Sequence, residues 1–315
     1  MPKLRIGSRG TTVDHSDECG VGREGSTVSS RKFFRVFLLL LSPWALATGG
    51  GFPSAVDAAK LPDEAAHATI RISPERTAIF FDGFIDDGAV AVAEETLRAG
   101  TVNTLYIRST GGHVNAAIWL GEMVRDAKLT VIVKDYCASS CANYVFTAGR
   151  SRVIDGVVMW HGSAEQKDLR EFHLCGRQVS SLYGGKMPSI EPERRAQAVE
   201  AWNASRRHQA EFFESIGVNE YITRAGQEPV VRPGGFTSDS FTYDVATMDQ
   251  FGMRDITAEE DYGTAAWCER VNKGAKRTIG CIAVTQEMLE YERARKERGE
   301  ECQANGTLKI RPAAP

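Results

Sequence analysis

The chain has 315 residues, of which 42% are hydrophobic and 25% charged, a balance that provides for a full core and argues against a largely disordered chain. With 38 Lys and Arg against 41 Asp and Glu the formal net charge is −3, so no overall field steers it toward nucleic acid or an anionic membrane.

In chain order, residues 1–58 stand apart. Residues 1–30 are polar and rich in Gly, Ser and Thr without periodicity, the composition of a disordered leader. Arg31, Lys32 and Arg35 then precede a short apolar run over 36–41 and the small residues of Ala45-Leu46-Ala47. A basic start, a short apolar stretch and an A-x-A site are features of a secretory signal. Export to a periplasm or the medium is therefore expected, with cleavage after Ala47 or after Ala58. A membrane span needs ~20 apolar residues, and Gly49-Gly50-Gly51 interrupts this run, so no stable span is expected after cleavage.

Removing the leader takes away Cys19 and leaves Cys137, Cys141, Cys175, Cys268, Cys281 and Cys302. An even number in an exported protein suggests disulfides. No C-x-x-C or paired Cys/His spacing is present, so neither a metal nor an organic cofactor is expected.

From residue 77 onward, strand and helix patterns alternate. Strands are predicted over 77–81, 102–107, 129–133 and 153–160, and helices over 86–99, 113–127 and 140–148. This order argues for βαβ crossovers and an α/β fold with a mainly parallel sheet, in which functional residues gather where strands end and helices begin. Residues 163–189 read as a polar excursion or lid. A long helix follows over 191–216, opened by Pro192 and packing through Val199, Trp202, Ala210, Phe213 and Ile216. A final helix over 244–251 is capped by Asp244. Beyond Asp255 the pattern is a polar tail with three cysteines, including a charged, solvated helix over 287–301. The organisation expected is a leader over 1–58, a main domain over 65–262 and a Cys-bearing tail over 263–315.

Three segments carry residue types that acyl transfer requires. Ser109-Thr110-Gly111-Gly112 is a double-glycine turn after a strand, where backbone N–H groups can approach a ligand. Cys137-Ala138-Ser139-Ser140-Cys141 places two serines at a helix start, near free N–H groups. His161 closes the strand Val157-Val158-Met159-Trp160 and is a candidate base for activating a serine hydroxyl. The plainer uses of these residues are helix caps for the serines and a structural histidine at a strand end.

Residues 103–163 resemble the Clp-type serine peptidases and the wider ClpP/crotonase-like superfamily, especially exported bacterial relatives with a C-x-S-x-C segment. The correspondence runs over 77–255. It implies repeated ββα units, an oxyanion hole from the Gly112 N–H and the N–H after the nucleophile, and His161 as general base. Counting back from Ala148-Gly149 selects Ser140, with Cys141 N–H as second donor. Counting within C-x-S-x-C selects Ser139, with Ser140 N–H as donor.

The chain departs from the family pattern in three places. Phe236 stands where the third triad residue would fall; Asp239 is the nearest acid, and Asp244 is better explained as a helix cap. Cys137 and Cys141 flank the serines, and Cys137–Cys141, Cys141–Cys175 and Cys268–Cys281 are all open as pairings. His113 follows the double glycine where a small or aliphatic residue is usual. A Cys141-His161 mechanism is disfavoured in an oxidising compartment. The expectation is an exported, ATP-independent serine hydrolase acting on a peptide or protein, with self-association implied through the long helix. A non-catalytic peptide-binding or scaffolding protein is the alternative. An acyl-CoA enzyme is disfavoured because Ser109 to Ala117 holds no carboxylate.

Overall fold

The computed structural model describes residues 68–98, 101–179, 188–228, 240–275 and 277–314. The leader, both cleavage sites, Phe236 and Asp239 lie outside the described residues.

A six-stranded sheet in the order β1-β2-β3-β4-β5-β7 organises the fold. Its strands are β1 (Thr69–Ile72), β2 (Ala78–Asp82), β3 (Thr104–Ser109), β4 (Thr130–Ala138), β5 (Ser151–Met159) and β7 (Ile256–Thr257). Only the β1–β2 pair is antiparallel; the other four pairings are parallel. The α/β class with a mainly parallel sheet is thus as expected. Helices α1 (Asp87–Arg98) and α2 (Val114–Asp126) supply the crossovers, and Asp86 caps α1 by accepting from Ala89 N–H at 2.8 Å. Leu105, Ile107, Val131 and Val133 alternate with more exposed neighbours and join Val90, Ile118, Leu120 and Val124 in one core.

Two differences from expectation shape the site. Strand β4 does not stop at Val133 but runs on to Ala138 through the charged pair Lys134-Asp135. Asp135 is left-handed at φ 59°, and the pairing with β3 shifts between Ile107 and Ser109, so an irregularity absorbs the extra residues. The short helix after the serines is π-helical over Cys141–Phe146 rather than α-helical. All six of its residues are buried, and α2 can lie close because Gly121 has no β-carbon to meet the Tyr144 carbonyl.

The excursion after His161 contains helix α3 (Lys167–Cys175), whose Arg170, Glu171 and Phe172 are buried. The long helix is α4 (Pro192–Ile216), but its buried side is Trp202, Gln209, Phe212 and Phe213; Ala210 is exposed. Strand β6 (Ser240–Tyr243) is followed by α5 (Val245–Gln250), which Asp244 caps at 2.7 Å from Thr247 N–H, as expected.

The chain beyond Asp255 is folded. Helix α6 (Ala265–Asn272), strand β8 (Ile279–Ile282) parallel to β6, helix α7 (Gln286–Arg298) and the hairpin of β9 (Glu300–Cys302) with β10 (Leu308–Ile310) follow in order. Trp267, Ile279, Ile282 and Met288 join the central core. Helix α7 is not the solvated helix expected, because Met288, Glu292 and Arg295 are buried. Disulfides join Cys137 to Cys141, Cys175 to Cys302 and Cys268 to Cys281; Cys141–Cys175 is not formed. No helix among the described residues is long and apolar enough to cross a membrane.

Candidate active site

The three chemical segments meet at the carboxyl ends of β3, β4 and β5, which are neighbours in the parallel sheet. Ser109 pairs with Cys137, and Ala138 with Met159, so each segment leaves the sheet at nearly the same level.

The double-glycine turn is built by backbone bonds. Gly111 N–H donates to Ser109 Oγ at 3.0 Å, Ile85 N–H to the Gly111 carbonyl at 2.9 Å, and His113 N–H to the Ile85 carbonyl at 2.9 Å. A β-carbon on Gly111 would lie 2.7 Å from the Ala138 carbonyl oxygen, and one on Gly112 would lie 2.0 Å from that of Ile85. Glycine at both positions is therefore what lets the turn close against the chain on either side. The bonds that hold the turn do not use the Gly112 N–H. His113 stands at the start of α2 with no side-chain cap and meets the Phe84 ring edge-on at 5.4 Å.

Ser139 is left-handed at φ 57°, and this turns the chain out of β4 into the π-helix. Its N–H donates to the Met159 carbonyl at 2.9 Å, fixing it beside the strand that leads to His161. The reversal also brings the Cα atoms of Cys137 and Cys141 to 5.3 Å, within disulfide reach. Cys141 is therefore not a free thiol, which removes the Cys-His alternative. Ser140 is 3% exposed, and its Oγ donates to the Gly112 carbonyl at 2.9 Å. The structure thus joins Ser140 to the double-glycine turn directly. Cys141 N–H stands at the start of the helix, where N–H groups lack intrahelical acceptors. Because the helix is π-helical, α-helical spacing to Ala148-Gly149 does not discriminate between the two serines.

His161 follows Trp160, which is fully buried and exchanges two 2.8 Å backbone hydrogen bonds with Phe241. Two side-chain amides hold the backbone beyond it. Gln227 Nε2 donates to the His161 carbonyl, and Asn143 Nδ2 donates to the Gly162 carbonyl at 2.9 Å. Helix α4 secures the next residues: Trp202 Nε1 donates to the Ala164 carbonyl at 3.1 Å, and Gln209 Nε2 donates to Ser163 Oγ at 3.3 Å and to Glu220. Asn143 and Gln227 were not legible as site residues. Asn143 gives the one usable signal, a polar side chain four residues after Ser139 in an otherwise apolar helix.

A buried charge network lies behind this loop. Arg224 donates to Glu292 at 2.7 Å, Arg295 to Glu292 at 2.8 Å and to Glu165 at 3.2 Å, and Arg170 to Glu300 at 2.9 Å. Glu228 lies 3.5 Å from Arg224 and 3.7 Å from Arg170. Burial pushes the Glu228 carboxyl above its ordinary value, against the pull of Arg170, Arg224 and Arg295. Burial likewise raises Glu220. Burial also works against the ionised form of Glu292, but its bond to Arg295 and the charges of Arg224 and Arg295 hold it at about 2. Glu165 is brought below its ordinary value when Arg206, Arg224 and Arg295 outweigh its burial.

The class this fold and site define is a mixed α/β protein with a mainly parallel sheet and a serine turn at its carboxyl edge. No protein-family model and no curated protein matches the chain. Among solved structures, a ClpP1 point mutant from Listeria monocytogenes is similar to it at 17% identity and a TM-score of 0.33, over 59% of this chain and 94% of that one.

Proposed function

We propose that the protein is an exported serine hydrolase that cleaves peptides or proteins, with Ser140 as nucleophile and His161 as general base. The observation that carries this reading is the convergence of the double-glycine turn, the serine turn and the strand leading to His161 at the carboxyl ends of adjacent parallel strands, where Ser109 pairs with Cys137 and Ala138 with Met159. In the reaction, Ser140 Oγ bonds to the substrate carbonyl carbon as His161 accepts its proton. The Gly112 and Cys141 N–H groups stabilise the oxyanion. The C–N bond then breaks, His161 returns the proton to the leaving amine, and water attacks the acyl ester by the same route. Asp239 is the candidate for orienting His161. The chemistry uses no metal or organic cofactor, and an exported protein meets no cytosolic ATP-driven unfoldase, so turnover without ATP is expected. Three disulfides support export, since such bonds persist in oxidising compartments. Self-association through α4 belongs to the same proposal.

One observation favours the non-catalytic peptide-binding alternative: the Ser140 hydroxyl is engaged by a backbone carbonyl and buried. Fluorophosphonate labelling of the oxidised protein, with mass spectrometry locating the adduct, separates the two. Labelling at Ser140, lost in Ser140→Ala and His161→Ala, is the expected result. Labelling lost only in Ser139→Ala would move the nucleophile to Ser139, and no labelling of folded protein would favour the binding protein.

A further inference from the structure

Asn143 joins the serine turn to the histidine loop. Its backbone N–H donates to the Ser139 carbonyl at 2.9 Å, and its side-chain Nδ2 donates to the Gly162 carbonyl at 2.9 Å. It is 4% exposed, and its Oδ1 has no hydrogen-bond partner among the described residues. The neighbouring carbonyl, that of His161, accepts from Gln227 Nε2. Gly162 between these anchors has φ 120°, and a β-carbon there would lie 2.0 Å from Gln166 Oε1 and 2.6 Å from Gln227 Oε1. The peptide units on both sides of Gly162 are therefore fixed by side-chain amides, one of them carried by the serine helix itself.

We propose that Asn143 is the positioning residue of this site, with Gln227 as its partner: together they hold the His161 backbone in register with the serine turn. This inference rests on the serine-hydrolase reading. Both side chains donate to backbone carbonyls. They act by fixing where the His161 ring is carried, the constraint that an orienting acid supplies through the ring itself. Asn143 suits the task because one residue reads both sides, Ser139 through its backbone and Gly162 through its side chain. A displacement of about 1 Å between reacting groups can cost ~100-fold in rate.

The test is the kinetics of fluorophosphonate labelling for the wild-type protein, Asn143→Ala and Gln227→Met, with the fraction folded measured alongside by near-ultraviolet circular dichroism. Loss of positioning predicts a fall of roughly 10- to 100-fold in kinact, with KI and the pH midpoint of labelling unchanged, because the base remains the same group. A merely structural role predicts a lower melting temperature with wild-type kinact in the folded fraction, and that result would overturn the proposal. Should Asn143→Ala fail to fold, Gln227→Met carries the decision: slowed kinact supports positioning, and an unchanged value overturns it. A folded wild-type protein that takes no label overturns the hydrolase reading and this inference together, whereas a labelled wild type with unimpaired variants overturns this inference alone.

Discussion

Gly112 marks how little room the double-glycine turn has. The Ile85 carbonyl oxygen that a β-carbon would meet at 2.0 Å is itself held by His113 N–H, so it cannot step aside without undoing the turn. Gly112→Ala is expected to cost ~1–3 kcal/mol through overpacking and to abolish labelling of Ser140, because the Gly112 N–H proposed to bind the oxyanion moves with the turn. Urea unfolding and probe labelling check this together; an alanine variant with the wild-type midpoint and full labelling would show that the turn tolerates a side chain. That the glycine pair, the serines and the histidine lie close together was legible because each follows a strand of the same parallel sheet, and such strands end at one edge. Asn143 and Gln227 were not, since each acts on a backbone carbonyl brought near by tertiary structure, 19 and 66 residues away in sequence.

At the scale of elements, hydrophobic periodicity located β2 to β5, α1, α2 and α4, but not the short strands β1, β6 and β7. It failed where charge or polarity is accommodated by local geometry. Lys134-Asp135 broke the apolar pattern of β4, yet the left-handed Asp135 carries the strand past them to Ala138. Helix α3 was missed because its buried face is Arg170 and Glu171 beside Phe172, which in sequence reads as a solvated stretch. The serine turn itself is closed by Cys137–Cys141, and both cysteines are 0% exposed, whereas Cys302 is exposed. Disulfide exchange requires access of the attacking thiolate. Mild reductant acting on the native protein is therefore expected to open Cys175–Cys302 well before Cys137–Cys141. Timed alkylation read by peptide mass spectrometry follows the order, and early modification of Cys137 or Cys141 would show that the serine turn opens to solvent on its own.

Across the whole molecule, the C-terminal segment is coupled to the site through charge. Its Glu292, Arg295 and Glu300 reach Arg224, Glu165 and Arg170, which belong to the turn before Gln227, the loop after Gly162 and helix α3. None of this was legible, because charges at helical spacing in a polar stretch ordinarily face water and only the fold reveals that they face each other. A buried ion pair adds little net stability, but removing one partner strands the other at a cost of ~3–5 kcal/mol. Glu292→Ala, which leaves Arg224 with Glu228 at 3.5 Å and Arg295 with Glu165 at 3.2 Å, should therefore lower the urea midpoint at pH 7. The pH dependence has a definite sign. Glu292 is depressed from 4.5 to about 2 on folding, so its stabilisation is present above the ordinary value and lost as pH falls through that interval. Glu228 is shifted upward, so it favours the fold when protonated and opposes it once pH rises past its raised value. Unfolding free energies measured from pH 7 down to pH 2 should show the wild type losing more stability below pH 4.5 than the Glu292→Ala variant does, since the variant no longer carries the depressed carboxylate. Parallel profiles would mean that Glu292 does not anchor the segment and that its acid sensitivity resides in other carboxylates.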